Sequence, residues 1–147
     1  MTDFKHATVY QIYPKSFLDT NGDGFGELRG VTRKLDYLKN LGVDYLWLTP
    51  FFVSPQNDNG YDVADYRNID PRYGTMADFE ELSREAAARG IGLMLDMVFN
   101  HTSTEHEWFQ KALAGDPKYE NYYIWKDGDP DTPPNNWQSK FGGSAWA

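Results

Sequence analysis

The sequence predicts an α/β fold in which parallel β-strands alternate with α-helices. Three segments with strand character, residues 7–14, 43–49 and 91–98, alternate with two segments whose apolar side chains recur every three or four residues. The third strand segment, IGLMLDMV, is apolar almost throughout, which is typical of a parallel strand covered on both sides. The predicted order is therefore β-α-β-α-β.

The first strand is rich in β-branched and aromatic residues and stops at Pro14. A polar, glycine-rich loop, LDTNGDGFGELRG, follows it. Apolar residues then recur at spacings of four, three and three, and Gly42 stands where a helix-ending glycine is expected. These residues predict the first helix: Val31, Leu35, Leu38 and Leu41.

The second strand ends at Pro50, and residues 50–74 predict a long loop because they are dense in turn residues. Thr75, with Asp78 three positions on, forms a variant of the capping box and predicts the start of the second helix, which Gly90 ends. After the third strand come a short amphipathic segment and a stretch rich in Pro, Asp and Asn.

Three strands cannot close a barrel, which needs about eight strands and typically ~250 residues. The last positions, FGGSAWA, carry apolar residues and no stop signal. We therefore expect the 147 residues to be the N-terminal part of a larger protein.

The composition excludes several functions. The chain has 14 Lys and Arg against 22 Asp and Glu, and its net charge of −8 repels phosphate backbones and anionic membranes, so neither nucleic acid nor a membrane is an expected partner. Cysteine is absent, which excludes disulfides and thiolate metal sites. The start of the chain lacks the apolar segment of a signal peptide, so a cytoplasmic location is expected.

The loop DTNGDGFGE predicts a calcium site. Asp19, Asn21 and Asp23 alternate as the first oxygen ligands of a calcium loop do, although the EF-hand pattern fails at its twelfth position, Gly30. Ca²⁺ is favoured over Mg²⁺ because the candidate ligands are many, flexible and all oxygen. They are the side chains of Asp19, Asn21, Asp23 and Glu27 and the carbonyl of Phe25. A solvated glycine turn is the alternative.

Two further motifs, DNGYD at 58–62 and DMVFNH at 96–101, are expected to meet. The carboxyl ends of parallel strands open on one face, where α/β folds place their sites. Asp58, Tyr61 and His101 would then share a crevice, which favours ligand binding over a purely structural histidine. Two alternatives stay open: a metal-dependent hydrolase that uses Asp58, Asp62, Asp96 and His101, and a non-catalytic sugar- or calcium-binding module.

These motifs, in this order, resemble the alpha-amylase superfamily, glycoside hydrolase family thirteen. VYQIYPKSF resembles its first barrel strand, DTNGDGFGELRG its calcium loop, LGVDYLWLTP its second strand, DNGYD the following loop and DMVFNHTS its third strand. The resemblance covers essentially the whole chain and is strongest to the intracellular, exo-acting alpha-glucosidases of the family.

The resemblance implies a (β/α)₈ TIM barrel with a domain inserted after strand three. Residues 1–103 would be the first three βα units of the barrel, and residues 104–147 the beginning of the inserted domain. The remainder of the barrel would be the main partner of these residues. The resemblance also implies that the calcium ion is structural, with one departure: Glu27 stands where the loop of these glucosidases usually ends in aspartate.

The resemblance further implies roles for five residues. Asp58 would bind hydroxyls of the terminal, non-reducing glucose, and Tyr61 would stack beneath that ring. His101 would hydrogen-bond the 6-hydroxyl, and Phe141 would help to wall the same subsite. Asp96 would lie at the barrel mouth and support the catalytic centre.

The implied reaction is retaining hydrolysis of an alpha-glucosidic bond in a small-molecule substrate. In the family the reacting carboxylates come from strands four, five and seven, so no catalytic residue is expected in this chain, which should hydrolyse nothing alone. Trehalose 6-phosphate is the expected substrate, and short isomalto- or malto-oligosaccharides are the alternative.

Overall fold

The computed structural model describes residues 4–129 and 131–146. Its elements follow the chain in this order: β1 (Val9–Ile12), α1 (Pro14–Phe17), α2 (Leu28–Arg33), α3 (Leu35–Asn40), β2 (Tyr45–Leu48), β3 (Phe52–Val53), β4 (Asp65–Ile69), α4 (Met76–Ala88), β5 (Gly92–Leu95), α5 (Glu107–Leu113) and a 3₁₀ helix (Glu120–Tyr122).

Three of the strands form a parallel sheet in the order β1-β2-β5. Val9 lies opposite Tyr45, and Tyr45 lies opposite Gly92, so the three strands run in step. Helices α2 and α3 connect β1 to β2, and α4 lies between β2 and β5 in the chain. The carboxyl ends of the three strands therefore meet at one edge, which is where the polar motifs emerge.

The sheet has one covered and one open face. Leu46 and Leu48 of β2 are fully buried in a core shared with α2, α3 and α4. Alternate side chains of a strand point to opposite faces. Trp47, between Leu46 and Leu48, therefore lies on the other face, beside Met94 of β5. Trp47 is 37% exposed and Met94 38% exposed. Among the described residues β5 is an edge strand with one open face, so the expectation that the third strand is covered on both sides stays a prediction about a complete barrel.

The first predicted helix is in fact two short helices. α2 begins at Leu28, earlier than the apolar spacing indicated, and ends before Lys34, whose φ of −103° and ψ of 5° are not helical. α3 then begins at Leu35. Val31 and Leu35 both remain fully buried, so the apolar spacing survives the break and could not reveal it.

Residues 50–74 are also more ordered than predicted. β3 and β4 form an antiparallel pair in which Phe52 lies opposite Ile69, with an irregular register towards Val53. β3 has only two residues, and the turn between the strands is rich in Asn, Asp and Gly, so the sequence resembled a loop. The short helix α1 lies between the first predicted strand and the polar loop, in residues to which the sequence analysis assigned no helix.

The capping box predicted at Thr75 is present. The Thr75 hydroxyl accepts the N–H of Asp78, and the Asp78 carboxylate accepts the N–H of Thr75 at 2.7 Å. The other oxygen of Asp78 accepts a hydrogen bond from Arg29 of α2 at 2.6 Å. Asp78 therefore both caps α4 and ties it to α2.

His106 caps the beginning of α5. Its Nδ1 accepts the N–H of Trp108 at 3.0 Å, and the residue is only 5% exposed. Burial lowers the pKa of His106 below its usual value, although the nearby charge of Asp65 opposes the shift. The neutral ring is the form that can serve as the cap acceptor.

Across residues 4–129 and 131–146, no helix combines the length and the apolar character needed to cross a bilayer.

The low pKa of His106 makes stability depend on pH. Because its folded pKa is depressed, its contribution is fully present above the unfolded value and is lost as pH falls through the folded pKa. We expect the melting temperature to fall between neutral pH and about pH 5, and His106→Asn to reduce that fall, since asparagine also caps helices and gains no proton. Thermal unfolding followed by circular dichroism measures this. His6→Asn, at an exposed position, is the control; an equal pH effect in both variants would contradict the assignment.

Candidate sugar-binding site

The site begins where β5 ends. The N–H of Asp96, the residue after β5, donates to the carbonyl of Leu48 at the end of β2, at 3.2 Å. This bond extends the parallel pairing by one residue and fixes the Asp96 backbone at the carboxyl edge of the sheet. A side chain at this position faces the loops that follow the strands.

The Asp96 carboxylate joins three segments of the chain. Its Oδ2 accepts the indole N–H of Trp47 from β2 and the hydroxyl of Tyr61 from the β3–β4 turn, each at 3.2 Å. Both donors are neutral, so they hold the carboxylate in place without cancelling its charge. Trp47 was missed by the sequence analysis, although strand alternation places it on the face opposite Leu46 and Leu48.

Tyr61 stays protonated at physiological pH. Burial raises its pKa to about 12, and the charge of Asp96 and the hydrogen bond to it act in the same direction. The Tyr61 hydroxyl is therefore a permanent donor to Asp96.

His101 contacts the same tyrosine. Its Nε2 lies 3.0 Å from the backbone carbonyl of Tyr61, and its Nδ1 lies 3.3 Å from the side-chain amide nitrogen of Asn100. A carbonyl oxygen can only accept, which assigns the hydrogen to Nε2, and Nδ1 then accepts from Asn100. Both ring nitrogens thus have partners within the chain, and the contact with Asn100 is the longer of the two.

The segment that carries His101 is held by Tyr66 of β4. The Tyr66 hydroxyl lies 2.5 Å from the carbonyl of Val98 and 2.9 Å from that of His101, so its single hydrogen is shared between two acceptors. The sequence analysis missed this contact because Tyr66 lies in a segment predicted as a loop. No local pattern reveals a bond between residues more than thirty positions apart.

Asp58 lies on the turn that carries Tyr61. The carbonyl of Asp58 accepts the N–H of Tyr61 at 3.0 Å, and the Asp58 side chain is exposed. The structure therefore brings Tyr61, Asp96 and His101 into direct contact and places Asp58 at the start of the same turn. These contacts form a polar, partly aromatic surface that can bind a hydroxylated ligand.

Phe141 is not brought to this surface. It is 94% exposed and lies in a turn closed by the bond from the Gly142 N–H to the Ser139 carbonyl. A cavity of about 580 Å³ opens beside His101, and Ala145 lines it, but among the described residues Phe141 does not. Its role as a wall of the glucose subsite stays a prediction.

The loop predicted to bind calcium is organised by hydrogen bonds. The Asp19 carboxylate accepts the N–H groups of Asn21, Gly22 and Gly24 at 3.0, 2.6 and 2.9 Å. These bonds, led by that from Gly22, lower the pKa of Asp19. Asp23 in turn accepts the N–H of Phe25 at 2.8 Å. The loop is therefore preformed and presents anionic oxygens.

Glu27 closes this loop from the inside. The residue is 6% exposed, and its Oε1 accepts the N–H of Thr20 at 2.9 Å and the Thr20 hydroxyl. Its Oε2 is buried without a hydrogen-bond partner. A buried carboxylate oxygen without a donor costs free energy, so this atom is suited to a cation.

Among the described residues, carboxylates and histidines do not converge on a metal-sized site, and this includes the loop of residues 19–27. Within the two described ranges, no three His, Asp or Glu side chains lie close enough together to hold a metal ion. The metal-dependent hydrolase built from Asp58, Asp62, Asp96 and His101 is therefore not favoured. The calcium assignment stays a prediction, since it also depends on amide and carbonyl oxygens.

Parallel βα units with polar side chains at their carboxyl edge are the architecture of barrel enzymes, and comparison with known families agrees. The chain belongs to the alpha-amylase family: the family model described as the alpha amylase catalytic domain matches residues 11–147. The described units are accordingly a TIM-barrel portion of mixed α/β content.

Three similar proteins refine this relationship. The chain is 64% identical over 143 residues to trehalose-6-phosphate hydrolase of Escherichia coli (strain K12), covering 97% of this chain and 26% of that protein. It is 58% identical over 149 residues to oligo-1,6-glucosidase of Heyndrickxia coagulans, covering 99% and 27%. The crystal structure of trehalose-6-phosphate hydrolase (TreA) from Bacillus licheniformis superposes with a TM-score of 0.91 at 61% identity, covering 97% and 26%. The chain thus spans about a quarter of the length of these relatives.

The Tyr66 contact makes a prediction about the His101 segment. Tyr66→Phe should lower the free energy of unfolding by about 1 kcal/mol and increase amide hydrogen exchange around residues 98–103, because two carbonyls lose their donor. Exchange followed by mass spectrometry measures the effect segment by segment. Tyr37→Phe, at an exposed position on α3, is the matched control; unchanged exchange in the 98–103 segment would contradict the assigned contact.

Proposed function

We propose that this chain is the substrate-holding part of a retaining alpha-glucosidase that hydrolyses trehalose 6-phosphate to glucose and glucose 6-phosphate. The observation that carries the proposal is the contact of Tyr61 with both Asp96 and His101 at the carboxyl edge of the parallel sheet. The family and the 64% identity to a trehalose-6-phosphate hydrolase support the reaction and the substrate. Oligo-1,6-glucosidase is the second candidate, because a relative with that name is 58% identical.

In this proposal the chain binds and orients the terminal glucose. The ring of Tyr61 lies beneath the sugar, and the exposed Asp58 carboxylate accepts bonds from its hydroxyls. His101 uses Nε2–H to hold Tyr61, so its contact with the 6-hydroxyl is made by Nδ1, in place of the 3.3 Å contact to Asn100. The Asp96 carboxylate lies at the barrel mouth, close to where positive charge develops on the sugar.

The bond-breaking groups lie outside this chain. Retaining hydrolysis needs a carboxylate that attacks the anomeric carbon and a carboxylic acid that protonates the leaving oxygen. We assign neither role here. Residues 1–103 form the first three units of the barrel, whose other strands would cover the open face at Trp47 and Met94, and residues 104–147 begin an inserted domain. The change after β5 from βα units to α5 and a series of turns supports this boundary.

We also propose a structural Ca²⁺ in the loop of residues 19–27. The buried, unpartnered Oε2 of Glu27 supports it, together with the preformed turns at Asp19 and Asp23. The ion would be held by Asp19, Asn21, Asp23, Glu27 and the Phe25 carbonyl, after a movement that brings the carboxylates together. It would neutralise the loop and stabilise the fold. The cytoplasmic location stays a prediction of the sequence.

The substrate assignment is tested on the complete enzyme that carries this chain. We expect kcat/KM for trehalose 6-phosphate to be at least about tenfold above that for isomaltose, since a charge-assisted hydrogen bond to the phosphate contributes ~1.5–3 kcal/mol. Release of glucose from each substrate measures the ratio. A preference for isomaltose would replace the first assignment with oligo-1,6-glucosidase, and activity on neither sugar would contradict both.

The calcium assignment is tested by chelation. Removing a bound ion should lower the free energy of unfolding by about 2 to 3 kcal/mol if the ion had been present at about a hundredfold excess over its Kd. The ratio of activities on the two sugars should not change, because none of the proposed calcium ligands is among the proposed sugar-binding residues. Thermal unfolding with and without chelator measures the effect, and Glu27→Gln should reduce it, whereas the exposed Glu80→Gln should not. A melting temperature that does not change when the chelator is added would contradict the assignment.

A further inference from the structure

The turn between β3 and β4 carries two of the proposed sugar-binding residues, Asp58 and Tyr61. Its backbone is unusual: Gln56 has a φ of 64° and Asn59 a φ of 53°, both in the left-handed region that costs energy for residues other than glycine. Such a turn keeps its shape only if contacts with neighbouring residues hold it.

Asp62, near the end of the turn, provides contacts that hold its shape. Its Oδ2 accepts the N–H of Asn57 at 2.8 Å, and its Oδ1 accepts the N–H of Asp58 at 3.1 Å. Its Oδ1 also accepts the hydroxyl of Ser54 at 2.8 Å. One carboxylate therefore holds the beginning of the turn to its end, and its bond to the Asp58 N–H acts on the residue that carries the proposed sugar-binding carboxylate.

Ser54 connects Asp62 to a rigid part of the fold. The residue is 4% exposed, and its N–H donates to Asp70 at 3.2 Å while its carbonyl accepts from Arg72. Asp70 is 2% exposed and is bound by Arg72 through two bonds at 2.8 and 2.6 Å. The turn is thus anchored through Ser54 to an ion pair just after β4, between the buried Asp70 and the half-exposed Arg72.

The charge of Asp62 suits this task. All three partners of its carboxylate are donors, and an ionised carboxylate is a pure acceptor. Partial burial opposes ionisation, but the hydrogen bonds from Ser54, Asp58 and Asn57 outweigh it and hold the pKa of Asp62 below its usual value. An asparagine at this position would turn an N–H₂ group towards at least one N–H donor of the turn.

We propose that Asp62 is a positioning residue that directs Asp58 and Tyr61 towards the terminal glucose and so sets the affinity of the enzyme for that sugar. This inference rests on the proposed glucosidase function. Asp62 itself does not touch the substrate. It acts through the backbone of the turn, and Ser54 connects it to the Asp70–Arg72 pair.

The test uses the complete enzyme with Asp62→Asn. We expect KM for the preferred alpha-glucoside and the inhibition constant of free glucose to rise together by about tenfold or more, with kcat changed by less than about threefold, because positioning is lost while the reacting groups stay intact. Ser54→Ala should raise both constants in the same direction by a smaller factor. It is also the second variant should Asp62→Asn fold poorly.

Asp65→Asn is the matched control. Asp65 also accepts a backbone N–H and a side-chain amide, from Arg67 and Asn68 at 2.7 and 2.6 Å, but it lies beyond the turn. We expect it to leave KM unchanged. If the enzyme is active and Asp62→Asn leaves KM unchanged, or Asp65→Asn raises KM equally, the inference about Asp62 is overturned. The proposed function is not affected by either result. A wild-type enzyme that hydrolyses no alpha-glucoside would overturn the proposed function and this inference with it.

Discussion

The hydrogen bonds that the Asp96 carboxylate accepts from Trp47 and Tyr61 hold the site together. Parallel strands place their carboxyl ends at one edge, but that alone does not unite the loops that follow them. Asp96 does so, because a charged acceptor attracts neutral donors from β2 and from the β3–β4 turn. His101 then completes the contact by donating to the Tyr61 carbonyl. The junction of β2, the β3–β4 turn and the end of β5 depends on this one carboxylate.

The two segments that we propose to bind the sugar are held by different means. The segment around His101 depends on a neutral donor, the Tyr66 hydroxyl, which holds two of its carbonyls. The turn that carries Asp58 depends on an anionic acceptor, Asp62, which holds two of its N–H groups. Both supports come from β4 or the residues just before it. The short β3–β4 pair is therefore the structural base of the proposed binding surface, and a preorganised base would reduce the entropy lost on binding a sugar.

Local patterns in the sequence were sufficient for some features. The capping box of Thr75 and Asp78 spans four residues, and the structure contains both of its bonds. The break at Lys34 was not predictable, because the buried residues on either side keep the spacing of one helix. The β3–β4 pair was not predicted, because β3 has only two residues and the many turn residues that follow it indicate a loop. The contacts of Trp47 and Tyr66 join distant positions, so they follow from the tertiary fold and from no local signal.

A double-mutant cycle between Tyr61→Phe and Asp96→Ala tests the central claim most directly, with glucose affinity of the complete enzyme measured by calorimetry. If the hydrogen bond between these two side chains builds the site, the effects of the two substitutions overlap, and the coupling free energy should be about 1 kcal/mol. Additive effects, with a coupling near zero, would contradict the account, since each residue would then act on the sugar without the other.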